Sequence, residues 1–63
     1  MITENQLRAL DFEYYENTEV WQFKEIAIYI DGQSYSVLLN DFQVFGINDH
    51  RDLSKFIKLV YGE

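Results

Sequence analysis

The sequence predicts a small α+β domain, in which two helices cover one face of an antiparallel sheet of about four strands. Three observations predict this class. The first residues contain a helix start, the middle of the chain alternates apolar and polar residues, and the last residues carry apolar side chains at helical spacing. With 63 residues and no cysteine or proline, the chain has material for one hydrophobic core. We therefore expect a single domain over residues 1–63.

The first helix is predicted over residues 4–10. Thr3 can cap its first turn while the side chain of Gln6 reaches back to the Thr3 backbone. Ile2 and Leu7 are spaced so that they can pack against each other across this turn.

Alternation of apolar and polar residues predicts a sheet from Phe12 onward. A first strand is expected near residues 12–15 and a second over residues 20–24. The tetrapeptide Glu-Asn-Thr-Glu at 16–19 interrupts the alternation, and it predicts the turn between these two strands.

The clearest alternating stripe consists of Ile26, Ile28 and Ile30. Asp31-Gly32 follows it, and this dipeptide accepts the backbone angles of a tight hairpin turn. Three further segments complete the predicted sheet: a return strand near residues 33–39, a turn at Asn40-Asp41 and an extended segment over residues 42–47.

An amphipathic helix is predicted after Asp49, which is the candidate cap residue, and Gly62 stands where such a helix would end. Its apolar residues recur at positions i, i+3, i+4 and i+7, so they share one face of the helix. We expect this face to be buried against the isoleucine stripe. The apolar residues are Leu53, Phe56, Ile57 and Val60.

No arrangement of residues in the sequence indicates catalysis, a cofactor or a metal site. His50, with Asp49 and Asp52, could form an acid–base pair or hold a metal, but the same residues are typical of a helix start. No serine stands in a nucleophile-elbow motif, and Gly32 and Gly46 are isolated, so there is no phosphate-binding loop. We therefore predict a protein that is not an enzyme and has neither a cofactor nor a metal.

The charge balance limits the kinds of partner. Eleven acidic and five basic residues give a net charge of -6, which repels nucleic-acid phosphates and anionic lipid surfaces. No apolar run reaches the roughly 18 to 20 residues of a membrane span. The opening Met-Ile-Thr-Glu-Asn also lacks the basic and apolar parts of a signal peptide. We expect a cytoplasmic protein that does not enter a membrane, does not bind nucleic acid directly and contacts a protein with a basic surface.

Acidic and aromatic residues are interleaved in the first half of the chain. Carboxylates there could pair with Lys and Arg in a basic groove, and the rings could supply anchoring area. Alternatively, the carboxylates only solvate the outer face of the sheet and protect its edges from aggregation. The candidate partner-contact residues are Glu13, Tyr14, Tyr15, Glu16, Glu19, Trp21, Glu25, Tyr29 and Asp31.

Both ends of the chain resemble short proteins encoded by phages and mobile elements. The opening ITENQL at 2–7 and the ending DLSKFIKLVYGE at 52–63 match a pattern in which an I-T-x-x-x-L start precedes several strands. A closing L-x-x-[LF]-[IY]-x-x-[LV]-x-G-E helix completes that pattern. Asp11 stands where a glycine commonly follows the first helix. The resemblance implies a fold and a genomic setting but no particular activity.

In size, in acidity and in the lack of a catalytic motif, the chain is similar to anti-CRISPR proteins, which are small phage proteins that bind and disable a host defence effector. The similarity implies an inhibitor that acts in the host cytoplasm through protein contact with a basic surface, such as that of an RNA-guided nuclease. The alternative is a structural or oligomerising accessory domain without inhibitory activity. In that case, exposed rings on the sheet would be buried against a second copy in a homodimer.

Overall fold

A five-stranded antiparallel sheet forms the centre of the fold, with one helix before it and one after it in the chain. The computed structural model describes residues 2–32 and 34–62. In chain order the elements are α1 (Glu4–Ala9), β1 (Glu13–Tyr15), β2 (Val20–Phe23), β3 (Ile26–Asp31), β4 (Ser34–Leu39), β5 (Phe42–Val44) and α2 (His50–Tyr61). Each strand lies next to the one that precedes it, so the sheet is a meander with β1 and β5 at its edges.

The predicted α+β class and the order of helix, antiparallel sheet and helix are confirmed. The sheet has five strands, where about four were expected, because residues 42–44 pair with β4 as a separate strand. Among the described residues, no helix has the length and apolar character that crossing a bilayer requires.

The strand register separates two faces of the sheet. Because successive side chains of a strand point to opposite faces, residues paired across the strands share a face. One row defines the inner face and contains Trp21, Ile28, Val37 and Val44. The next row lies on the outer face and contains Tyr15, Val20, Tyr29 and Ser36.

Both helices pack on the inner face of the sheet. Leu7 of α1 and Leu53 of α2 belong to the same buried cluster as Ile26 and Ile28 of β3, and all four side chains are 0% exposed. Burying a side chain of this size is worth about 1.5 to 3 kcal/mol. The prediction that the C-terminal helix covers the isoleucine stripe is therefore confirmed for Ile26 and Ile28, whereas Ile30 is partly buried.

The end of α2 departs from the predicted helix stripe. Phe56 is half-buried, and Val60 is 37% exposed, so the expectation that Val60 lies in the core is wrong. The physical reason is the contact that Tyr61 makes with the β2 end of the sheet. The ring of Tyr61 meets the ring of Phe23 edge-on at 5.8 Å, and its hydroxyl reaches Glu25. Neighbouring helical residues are about 100° apart, so turning Tyr61 toward β2 turns Val60 away from the core.

Local hydrogen bonds and backbone angles determine where the helices begin and end. The Thr3 side chain accepts the Gln6 N–H at 3.2 Å, and the Gln6 side chain accepts the Thr3 N–H at 3.0 Å, which confirms the predicted capping box. α1 ends at Ala9, one residue earlier than expected. Asp11 follows with φ 69°, the left-handed conformation that glycine accepts most easily. At the other end of the chain, Gly62 has φ 72° and ends α2 as predicted.

Positive φ angles shorten several predicted strands. Lys24 has φ 51°, so β2 ends at Phe23, and Gly46 has φ 86° shortly after β5 ends at Val44. Such angles break the extended backbone on which strand pairing depends. β1 begins at Glu13, one residue later than expected, because pairing with β2 begins there.

The two later hairpin turns also contain positive φ angles. Asn40 and Asp41 have φ 51° and 69°, as a tight turn between β4 and β5 requires. Gly32 has φ 62° after β3. Gln33, where the return strand was expected to begin, lies outside the described residues.

Candidate protein-interaction surface

The β1–β2 hairpin carries acidic residues without any basic residue among them. From Asp11 to Glu19 the sequence contains four carboxylates, no lysine and no arginine. All four are exposed, and so is every residue of β1. We call the exposed acidic and tyrosine residues of this hairpin the hairpin surface; they are Glu13, Tyr14, Tyr15, Glu16 and Glu19.

The two tyrosines of the hairpin surface lie on opposite faces of the sheet. Tyr14 pairs with Trp21 and so faces the helix side, whereas Tyr15 pairs with Val20 on the outer side. Their exposed fractions are 45% and 48%. Because β1 is an edge strand, both rings stand at the rim of the sheet, where a partner can reach them.

A hydrogen bond links Tyr15 to an acidic neighbour. The Tyr15 hydroxyl donates to Oε2 of Glu13 at 3.2 Å. This hydrogen bond, together with the negative charge of Glu13, raises the pKa of Tyr15. The pair presents one ring and one carboxylate side by side.

Two predicted contact residues on β3 extend this surface across the outer face of the sheet. Tyr29 pairs with Val20, which also pairs with Tyr15, so the two rings flank one valine. Val20 is 6% exposed although no helix covers this face. Asp31, two residues after Tyr29, ends the strand and is exposed. Sequence reasoning did not anticipate the burial of Val20. The feature that could have indicated it is the tyrosine on each neighbouring strand, Tyr15 and Tyr29, which pairs with this valine.

Trp21 was predicted to be a contact residue on the surface, but its side chain is buried. It is 3% exposed and belongs to the core cluster on the inner face. Its ring lies 5.1 Å from the ring of Tyr14, measured between centroids, and the guanidinium carbon of Arg8 lies 5.4 Å from its centroid. The inclusion of Trp21 among the exposed contact rings is therefore corrected, because the ring is buried and packs against that of Tyr14.

Glu25 lies at the end of β2 opposite to Glu19 and is not brought together with the hairpin surface. Its carboxylate accepts the Tyr61 hydroxyl at 2.6 Å, and its backbone N–H donates to the oxygen of that hydroxyl at 3.1 Å. Burial raises the pKa of Tyr61, and the hydrogen bond to Glu25 raises it further. The structure thus gives Glu25 a role in holding the end of α2.

The residues around His50 form a helix cap. The Asp49 side chain accepts the backbone N–H groups of Arg51 and Asp52, each at 3.0 Å. The Asp52 N–H is the largest cause of a lowered Asp49 pKa, with further help from the Arg51 N–H and the nearby positive charges, whereas burial acts in the opposite direction. His50 is exposed at the first position of α2. Within the described ranges, no group of three or more His, Asp or Glu side chains could hold a metal ion.

A cavity of about 300 Å³ opens between the start of α1 and the hairpin. It is lined by Glu4, Tyr14, Glu19, Trp21 and Ile30. Glu4 and Ile30 were absent from the predicted site, because only the folded chain brings the first turn of α1 beside the turn between β1 and β2.

Large apolar side chains are exposed at the opposite edge of the sheet and on α2. Phe42 is 77%, Phe45 81% and Leu59 83% exposed. Sequence reasoning placed Phe42 and Phe45 in an extended segment without identifying them as surface residues. They provide a second exposed region, whose chemistry is apolar rather than acidic.

The structure thus places most of the predicted contact residues, exposed, on the hairpin or on the neighbouring strand β3. Trp21 lies on the hairpin but is buried, and Glu25 lies at the other end of β2. No protein-family model matches the chain, and no curated protein or solved structure was found to be similar to it.

Proposed function

We propose that this chain is a protein-binding domain that contacts a basic partner through its hairpin surface. In the phage setting that the resemblance implies, the partner is a host defence effector in the host cytoplasm, such as an RNA-guided nuclease, and binding inhibits it. One observation carries the proposal. Three exposed carboxylates, on Glu13, Glu16 and Glu19, stand beside two exposed tyrosine rings on a hairpin that has no basic side chain.

The chemistry of the hairpin surface suits a basic groove. Its carboxylates would attract Lys and Arg over a distance and speed the encounter, particularly at low salt. Tyrosine rings bury a large area with few rotatable bonds, so they are suited to anchoring the complex once it has formed. A nuclease channel is basic because it holds phosphates, and an acidic hairpin in that channel would exclude the nucleic acid.

The proposal assigns no chemical step to this protein. Inhibition follows from occupancy of the partner, so it should be stoichiometric and should weaken as salt screens the charges. It should not depend on His50, and His50→Gln is expected to leave inhibition within a few-fold of wild type.

The test compares two triple variants of equal net charge. Glu13→Gln, Glu16→Gln and Glu19→Gln together remove three negative charges from the hairpin surface. Gln43→Lys, Phe45→Lys and Leu59→Lys together add three positive charges at exposed positions outside it. Each protein is added to a panel of purified RNA-guided nucleases loaded with guide RNA, and cleavage of target DNA is measured, with circular dichroism to confirm folding.

We expect wild type to inhibit a member of the panel at near-equal concentration. The hairpin triple should lose at least about tenfold in potency, whereas the charge-matched triple should lose less than about threefold. Equal losses would contradict a role for the hairpin surface in particular. Absence of inhibition across the panel would contradict the assignment of this effector class.

Self-association is the second candidate function, and the exposed Phe42, Phe45 and Leu59 favour it. Apolar side chains exposed to this degree often mark an interface when they are contiguous. Light scattering at a low and a high protein concentration separates the candidates, since our proposal expects an unchanged monomer mass. A dimer mass that Phe45→Lys restores to the monomer value would support the accessory domain instead.

A further inference from the structure

We propose that the cavity between α1 and the β1–β2 hairpin binds one arginine side chain of the partner. This inference rests on the proposed function, because the partner's basic surface would supply the arginine. The cavity has a volume of about 300 Å³. Its lining residues are Glu4, Tyr14, Glu19, Trp21 and Ile30, which combine two carboxylates, two aromatic rings and one aliphatic side chain.

The two carboxylates provide the charge that such a ligand requires. Glu4 lies in the first turn of α1 and Glu19 in the turn that precedes β2, so they approach the cavity from different elements. Neither side chain has an ion pair or a hydrogen bond to another side chain in residues 2–32 and 34–62. Both carboxylates therefore remain available to accept N–H groups from a guanidinium, which presents its donors in a planar fork.

The ring of Tyr14, which is 45% exposed, provides a stacking surface beside these charges, whereas that of Trp21 is 3% exposed and backs it. Tyr14 and Trp21 meet with centroids 5.1 Å apart and ring planes at 47°, so they form a corner rather than a flat stack. A cation within about 6 Å of a ring centroid is attracted by the negative face of the ring. Ile30 could pack against the methylene groups of an arginine, which bury readily along apolar surface.

The chain itself contains a guanidinium against one of these rings. The Arg8 guanidinium carbon lies 5.4 Å from the centroid of Trp21, although Arg8 is not a lining residue of the cavity. Arg8 therefore already supplies the cation at Trp21, and the ring left to a guanidinium of the partner is that of Tyr14, which is 45% exposed. A lysine of the partner would bring the charge, but it lacks the planar guanidinium group, which stacks on a ring and donates two parallel hydrogen bonds to a carboxylate. We therefore expect arginine to bind more tightly than lysine.

The test uses a small probe instead of a partner protein. N-acetylarginine methylamide is titrated into the isotope-labelled protein, and the indole N–H signal of Trp21, the only tryptophan, is followed by NMR. N-acetylcitrulline methylamide is the matched probe, because it keeps the shape of the side chain and lacks the charge. We expect a saturable shift with the arginine probe and at least about tenfold weaker binding of the citrulline probe.

Three single variants localise the binding. Glu4→Gln and Glu19→Gln should each weaken binding of the arginine probe by about fivefold or more, because each removes a charged acceptor. Glu16→Gln makes the same change in an exposed residue of the same hairpin that does not line the cavity, and it should change binding by less than about twofold. A non-saturable shift, equal binding of the citrulline probe or an equal effect of Glu16→Gln would overturn the inference.

The outcomes separate this inference from the proposed function. If the arginine probe fails to bind while the hairpin triple variant still loses nuclease inhibition, the cavity inference is wrong and the proposed function stands. If the probe binds as expected and no nuclease is inhibited, the cavity remains an arginine site and the proposed function is wrong.

Discussion

The β1–β2 hairpin and β3, with α2 packed on it, belong to one sheet but differ in how exposed their side chains are. In β3, Ile26 and Ile28 are completely buried, in the same core cluster as Leu53 of α2. In β1, every residue is exposed, and the turn that follows is acidic. The first strand and the turn of the hairpin carry the groups suited to meeting a charged partner, whereas β3 and α2 lie in the core, to which β2 adds Trp21. Substitutions should therefore separate stability from binding.

The largest expected effect is the loss of stability on truncating the buried face of α2. Leu53→Ala should lower the free energy of unfolding by about 2 to 5 kcal/mol, because it leaves a cavity at a residue that is 0% exposed. Leu59→Ala makes the same change on the exposed side of the same helix and should stay within about 0.5 kcal/mol. Urea unfolding followed by circular dichroism measures both. Similar losses for the two variants would show that the buried and exposed faces of α2 are wrongly assigned.

A smaller loss should follow from removing the hydrogen bonds at the end of α2. Tyr61→Phe keeps the ring contact with Phe23 but deletes the hydroxyl that donates to Glu25, so we expect a loss of about 1 kcal/mol. Tyr29→Phe is the control, because its hydroxyl has no hydrogen bond to any residue in the described ranges. An unchanged urea midpoint for Tyr61→Phe would mean that water replaces this link at no cost.

The cap at Asp49 should make stability depend on pH. The Asp52 N–H is the main cause of its lowered pKa in the folded state. A carboxyl whose pKa is lower in the folded than in the unfolded chain stabilises the fold above its unfolded pKa, and it loses that contribution as the pH falls through the folded value.

Asp49→Asn keeps a side-chain acceptor without the charge. The melting temperature of wild type should therefore fall by a few degrees more than that of Asp49→Asn between about pH 6 and about pH 2. Parallel curves of melting temperature against pH for the two proteins would show that Asp49 is not a source of the loss of stability in acid.

The elements with strong local signals could be predicted from the sequence. Thr3 and Gln6 specify a capping box, and Leu53 and Ile57 lie on one face of a helix that Asp49 and Gly62 delimit. These signals depend on residues close together in the chain, so they can be recognised without knowledge of the tertiary structure. Alternation in β3 likewise identified the strand that α2 covers.

The features that sequence reasoning missed depend on contacts between distant segments. Helical spacing grouped Val60 with the core, but the contact of Tyr61 with Phe23 turns the next face of α2 toward the sheet and leaves Val60 exposed. Trp21 was grouped with exposed rings, whereas its face of the sheet is the one that the helices cover. Glu4 and Glu19 are far apart in sequence, and only the packing of α1 beside the hairpin brings both to one cavity.

The central claim, that the position of the hairpin carboxylates and not net charge alone governs the approach of a basic partner, is tested most directly by association rates. A nona-arginine peptide serves as the basic probe for wild type, the hairpin triple and the charge-matched triple. At about 50 mM ionic strength we expect the hairpin triple to associate about tenfold more slowly than wild type and the charge-matched triple less than about threefold more slowly. Both differences should shrink at about 500 mM. Equal slowing of the two triples at low salt would contradict the claim.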